Sequence, residues 1–485
     1  MPRGRVFAAP VAAREQGAPA LSLVPLKDEA AGRRSAAPSA RTRVLLFLGL
    51  LGIYAANGRE IGAPDTSPNI LLPIAILRGD GPVLNRFEAT LRGDGGEPPY
   101  FVEAHGDLLL SRYPILPALL AVPVTWPQLM LLDRTHPDWM QNPAVASPSM
   151  RVMAKSAAAL VAALVGMLLY GLLLELGLGE VAVTATLATA LGSELWMVAS
   201  QSPWQHGSAA LFLVLSLLLV VPARGSRTRL VGAGLAAAAA VCARSTNAAF
   251  AVPLAIWALF ALGRRALWLL VPAAAVGALL LTSNVLLFGN VLGGLGAIES
   301  LGHAHHGLHG SLTDEPLTSL AGTLFSPNRG LFVFSPWALL ALAALPATAP
   351  RLAGFAPLRA MLLGLLPFTL VISGYGVWWA GESFGPRYGT EAMPLFGVLL
   401  AFALVWARTR SPATRAVFHV AIAFSIALQA IGALCYPSDW NKVPGSVDLH
   451  HDRLWDWRDT EIRRCLEEGP WVPASYLAVW RRLTR

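Results

Sequence analysis

The chain has 485 residues, 55% of them hydrophobic and only 14% charged, with mean hydropathy +0.53. Soluble proteins carry about 25% charged residues, so this composition excludes a soluble globular domain and points to a polytopic membrane protein. The net charge of +8 implies no nucleic-acid partner, because the arginines fall in the N-terminal tail and short loops, where the positive-inside rule accounts for them.

Residues 1–43 are rich in Ala, Pro, Arg and Ser without apolar periodicity, and are predicted to be a disordered cytoplasmic tail. Arg41 and Arg43 precede the first span, Val44 to Asn57, expected to be uncleaved with its N-terminus in the cytoplasm. Further apolar runs near 151–174, 181–200, 208–222, 230–245, 248–262, 266–288, 331–346, 360–376, 390–407 and 416–435 bring the expected spans to about eleven. The run Tyr113 to Leu132 is long enough to cross, but Pro117, Pro123 and Pro127 interrupt it, and proline removes a backbone donor. If that run stays on one side, the arginines of 224–229, Arg264, Arg265, Arg351, Arg359, Arg408 and Arg410 all fall in the cytoplasm. If it crosses, they all move outside. The charge pattern therefore predicts a bent, interfacial 113–132.

This topology puts the chemically unusual loops on the outer face: 58–150, 201–207, 289–330, 378–389 and the segment after 436. In the first loop, Asp65 reads either as a cap for the helix starting near Pro68 or as a working carboxylate. Arg112 and Tyr113 open the second apolar piece as a headgroup anchor or a substrate contact. His206, at a span end, suits phosphate binding or proton transfer, and equally a structural role. His303, His305, His306 and His309 have spacing that can take a metal. Arg329 lies in a Ser-Pro-Asn-Arg-Gly turn whose glycine allows close backbone approach. In "WWAGESFGPRYG", Trp378 and Trp379 mark an interface, while Glu382 and Arg387 pair with each other or bind an anion. The three cysteines form no disulfide framework. Only three lysines stand among 37 basic residues, which fits a GC-rich bacterial genome and a bacterial plasma membrane.

The segments "DTSPNILLPIAIL", "SRYPILPALLAVP", "SPNRGLFVFSP" and "SFGPRY" follow an order of one span, a long acidic outer loop, an arginine-led span and a late outer arginine. This layout resembles the GT-C superfamily of polyprenyl-phosphate-sugar-dependent glycosyltransferases, which includes protein O-mannosyltransferases and aminoarabinose transferases. The resemblance covers roughly residues 44–435 and is one of layout more than of motif identity.

It implies an all-α membrane fold with short interfacial helices in the first outer loop. It also implies a polyprenyl-phosphate-linked sugar donor and a glycan, lipid or protein acceptor, with membrane lipids around the domain. Asp65 matches the first-loop acid, a general base or an aid to a divalent metal ion. Tyr113 matches the start of the interfacial helix, and Arg387 with Tyr388 matches the late arginine segment. Arg112, His206, Arg329 and Glu382 complete the candidate substrate contacts. The pattern departs from many members in having Glu60 and Asp65 five residues apart and His206 where a second acid is common. A transporter or flippase of lipid-linked saccharide, and a non-catalytic scaffold using residues 436–485 as an amphipathic outer segment, are the competing readings.

Overall fold

The computed structural model describes residues 40–471 apart from 94–95, 224, 297, 299–311 and 437–438. The tail 1–39 and the histidines at 303–309 lie outside the described residues. The first helix, α1 (Ala40–Ala55), begins four residues before the expected span. The long first loop then folds into α2 (Ser67–Leu77), α3 (Glu88–Arg92), an antiparallel hairpin of β1 (Val102–His105) and β2 (Leu108–Ser111), and α4 (Leu116–Thr135). The hairpin, in register Val102 with Ser111 and His105 with Leu108, turns at Gly106 with φ +59°. It is the one paired sheet among the described residues of an otherwise helical protein.

The main bundle follows: α5 (Pro143–Glu175), α6 (Gly179–Leu191), α7 (Gln205–Val220), α8 (Arg227–Ala243), α9 (Ala248–Leu262) and α10 (Leu267–Phe288). Next come α11 (Pro316–Phe325), α12 (Leu331–Phe334), α13 (Pro336–Ala343), α14 (Leu345–Leu352), α15 (Ala356–Leu363) and α16 (Leu365–Ser373). The chain ends in α17 (Met393–Arg408), α18 (Pro412–Cys435) and the short α19 (Glu461–Glu468). The expected apolar runs are largely helical, but 181–200 leaves the α-helix after Leu191 for a π turn at Leu195–Ala199, and 331–346 is broken at Ser335–Pro336, where Ser335 Oγ and Trp337 Nε1 donate to Gly192 O at 3.0 and 2.7 Å. Among the described residues, six helical runs are long and apolar enough to cross a bilayer by length and composition: 116–135, 143–175, 245–288, 356–373, 387–408 and 412–435.

The interfacial piece expected at 113–132 is a helix over 116–135. Pro123 and Pro127 sit inside one continuous 20-residue helix; neighbouring helices in apolar surroundings make such prolines tolerable. Its neighbours place it. Lys155 of α5 donates to Ser200 O (3.1 Å) and Gln201 Oε1 (2.6 Å), and Asn57, just past α1, donates to the same Gln201 Oε1 (2.7 Å). Residues 143–154 therefore run beyond the level where α1 ends. The α5 helix has 33 residues, about 50 Å at 1.5 Å per residue, against a hydrocarbon core of about 30 Å. Pro117 and Ala121 at the start of α4 line a hollow with Ala157 and Ala158, and Asp133 near its end binds Arg78 and the Trp139 indole. α2, the hairpin, α4 and the start of α5 thus form a separate layer with its own core, including Leu72, Ile74, Phe101, Leu109, Leu129 and Trp139.

At the other end of the bundle, Arg408 pairs with Glu180 at 2.8 Å and the Arg265 guanidinium packs against Gly225. The turns that carry Gly225 and Arg265 meet there, beside Pro357. The Trp378–Trp379 pair is not an interface belt: both rings are buried and form one cluster with Trp440, Val447 and Leu454 of the C-terminal segment.

Candidate active site

Asp65 occupies a one-turn 3-10 helix, Pro64–Thr66, just before α2. The turn is pressed inward because a Cβ on Gly62 would lie 2.3 to 2.7 Å from Glu60 Oε1, Thr66 Oγ1 and Ser202 Oγ. The cap reading of Asp65 gives way: the residue preceding α2 is Thr66, which makes no side-chain cap bond. The Asp65 carboxylate instead accepts from Arg387 Nη1 at 2.9 Å and from Tyr100 Oη at 3.0 Å.

Arg387 begins the 3-10 turn Arg387–Ala392 that leads into α17. Its Nη2 donates to Ala380 O at 2.8 Å. That carbonyl is presented by a loop where Ala380 itself sits at φ +63°, a region non-glycine residues seldom enter. The guanidinium lies 4.4 Å over the Trp204 ring, and its buried Nε has no protein acceptor among the described residues. Burial works against the charge on Asp65, but the Arg387 charge and the hydrogen bonds to Asp65 outweigh it and hold its pKa below the ordinary 3.8. Burial, then the Asp65 charge, raises the pKa of both Tyr100 and Tyr113, so the phenols remain donors. Tyr113 lies within electrostatic reach of Asp65, Tyr100, Arg387 and Tyr388.

Behind this pair sits a fully buried layer. His206, in the first turn of α7, donates from Nδ1 to Glu391 Oε2 across 2.8 Å. The other Glu391 oxygen accepts from Arg244 and from Thr246 Oγ1, the latter at 3.3 Å. The rings of His206 and Tyr388 are 6.2 Å apart, and the Arg244 guanidinium lies 4.9 Å over Tyr388. A buried acid with two basic partners is a rigid post. It fixes the turn that carries Arg387 and Tyr388.

Asp65, Tyr113, His206, Arg387 and Tyr388 are thus brought together. The remaining three candidates are directed elsewhere. Arg112 binds Glu103 (2.7 Å) and Tyr100 O (2.7 Å), bracing the hairpin. Glu382 is half exposed and faces Lys442 at 3.4 Å, so it is not the partner of Arg387. Arg329 is 1% exposed, with Glu461 Oε2 at 2.8 Å, Asn441 Oδ1 at 2.7 Å and Trp379 O at 3.0 Å. The neighbouring Gly330 permits close approach of the chain to itself: a Cβ there would lie 2.6 Å from Phe325 and Ser326 backbone. The C-terminal segment is not a free amphipathic helix; Glu461 and Cys465 of α19 point into the protein.

A narrow crevice, with a free volume of only about 10 Å³ in this closed form, joins Arg387 and Tyr388 to an apolar wall of Leu331, Phe368, Ile372, Trp378 and Phe396. It has one cationic, polar end and one greasy end. The donor set at Asp65 does not fit a divalent cation, since both oxygens have partners and a guanidinium stands 2.9 Å away. Glu60 stands apart, its pKa raised by burial against the pull of Ser202, Arg151 and Lys155. Among the described residues no three His, Cys, Asp or Glu side chains group as a metal site.

Sequence reasoning passed over Tyr100, Arg244 and Glu391. Arg244 carried a signal, being an arginine between two apolar runs at the end opposite the other loop arginines.

No known protein family and no curated protein matches the chain. Among solved structures, the crystal structure of ArnT from Cupriavidus metallidurans bound to undecaprenyl phosphate superposes with TM-score 0.47 at 15% identity, covering 84% of this chain and 68% of that one. At that level of likeness the chemistry of the site rests on its own residues.

Proposed function

We propose that this protein transfers a sugar from a polyprenyl-phosphate-linked donor to an acceptor hydroxyl on the outer face of the membrane. The observation that carries the reading is Arg387, paired with Asp65 on one side and lining an apolar cleft on the other, with one guanidinium nitrogen still free. A guanidinium is suited to a phosphate oxygen, and the wall of Leu331, Phe368, Ile372 and Phe396 suits a prenyl chain.

In this reading the lipid phosphate binds Arg387 and competes with Asp65 for it. The carboxylate loses part of its counter-charge, its proton affinity rises, and it becomes a competent base. The acceptor oxygen attacks the anomeric carbon as Asp65 takes the hydroxyl proton. The bond from that carbon to the phosphate oxygen breaks, and the phosphate leaves with the electron pair, held by Arg387. Tyr100 and Tyr113 orient the carboxylate, while His206, Glu391 and Arg244 keep Arg387 in place. The bundle is oriented with its arginine-rich end in the cytoplasm, which sets the site and the C-terminal segment outside.

A transporter has less support, because the buried ionisable groups Lys155, Glu194, His206, Arg244, Arg387 and Glu391 gather at the Asp65 end instead of forming a path across the bundle. The test is transfer from a labelled polyprenyl-phosphate sugar by wild type, Asp65→Asn and Arg387→Ala. Undiminished transfer by both variants overturns the proposal.

A further inference from the structure

A second cleft, of about 360 Å³, opens at the end of the bundle away from Asp65. Its walls are the end of α7 (Val220, Val221), Leu230 of α8, Trp257 and Leu262 of α9, and Pro357 of α15, with Arg265 as its charged residue. Gly225, at φ +85°, lies so close to Arg265 that a Cβ would sit 2.6 Å from Nη1. Next to the cleft, the Arg227 guanidinium stacks 4.0 Å over the Trp268 ring. Arg229 and Arg264 are exposed beside them.

Among the described residues these arginines have no counterion. Residues 195–298 contain six arginines and not one Asp or Glu, and 316–381 is equally free of acids. Among the described residues, no carboxylate pairs with Arg227, Arg229, Arg264 or Arg265; the nearby turn carboxylate Glu180 is held by Arg408. The α8–α10 surface beside the cleft is apolar and outward-facing, with Phe260 88%, Leu259 56% and Leu267 55% exposed. A ligand here must therefore bring both negative charge and hydrocarbon.

We infer that this cleft is a specific site for an anionic phospholipid, with the phosphate between Arg265 and Arg227 and an acyl chain against Val221, Leu230, Trp257 and Leu262. The volume falls within the roughly 300–1,000 Å³ usual for ligand pockets. Basic pockets between membrane helices bind anionic headgroups, each basic residue strengthening attachment about five-fold. The site is independent of the sugar-transfer reading.

The test uses the purified full-length protein in neutral detergent, titrated with phosphatidylglycerol, phosphatidylcholine or inorganic phosphate. Binding is read by native mass spectrometry and by the thermal midpoint from tryptophan fluorescence. Phosphatidylglycerol is expected to bind and raise the midpoint, while the other two are not. The double variant Arg227→Ala/Arg265→Ala should weaken phosphatidylglycerol binding about 25-fold, with Arg415→Ala unchanged. Lysine at both positions should restore most of the binding, which separates lost charge from lost folding. Equal binding of phosphatidylcholine, the same shift with phosphate alone, or full binding by the double alanine variant overturns the inference.

Discussion

Replacing Asp65 by asparagine removes one charge and no volume, and the structure makes its consequences separable. In the wild type, Arg387 Nη1 lies 2.9 Å from the carboxylate, and the Arg387 side chain is only 8% exposed. Loss of a general base lowers the chemical step by about 10²- to 10⁴-fold, about 2.7–5.4 kcal/mol at 1.36 kcal/mol per decade. Donor binding should move the other way. With no carboxylate competing for Arg387, the lipid phosphate gains a hydrogen bond to a charged group at lower cost, and affinity holds or tightens. Arg387→Ala should weaken donor binding, by about ten-fold or more for a charge-assisted bond of about 1.5–3 kcal/mol. The assay is single-turnover transfer from a labelled polyprenyl-phosphate sugar, with donor affinity measured separately on the same preparations. An Asp65→Asn protein that transfers at the wild-type rate refutes the base. One that loses donor binding as Arg387→Ala does refutes the competition between phosphate and carboxylate.

Other consequences can be checked on the same protein. Tyr100→Phe deletes the 3.0 Å bond to Asp65 from a half-exposed ring, so a three- to ten-fold loss of kcat is expected, about 1 kcal/mol for a single hydrogen bond. Because Asp65 titrates below 3.8 in the folded protein, its contribution to stability is complete above that value and lost as pH falls through the depressed one. A kcat/KM profile should therefore show no acid limb from Asp65 between pH 5 and 7, whereas Arg387→Ala should raise that limb because burial is then opposed only by the Tyr100 and backbone hydrogen bonds. Glu391→Gln leaves Arg244 buried without its counter-charge, a loss of about 3–5 kcal/mol, visible as a lower thermal midpoint than for Glu382→Gln. Glu461→Ala similarly strands Arg329, and limited proteolysis should cut within 439–471 faster than in wild type.

The bundle was legible because membrane helices announce themselves by composition: the expected apolar runs became largely helix, and the arginine-marked turns of 224–229 and 264–265 meet. Asp65 and Arg387 were also marked, since ionisable groups beside apolar segments are costly and demand a partner. What pairs with what was not marked. Glu382 stands five residues from Arg387 yet faces Lys442, while Asp65, 322 residues away, takes the guanidinium. Arg329 looked like a ligand-facing turn until Glu461 and Asn441 enclosed it.

The sequence by itself determined the class of environment: apolar runs set the helices, and proline and glycine set many of the breaks. Such properties are local sums over neighbouring residues. Tertiary structure alone decided the site, because a buried ion pair depends on distances across 100 to 300 residues of chain. The hairpin that carries Tyr100 and the post made by His206, Glu391 and Arg244 exist only once the helices have packed.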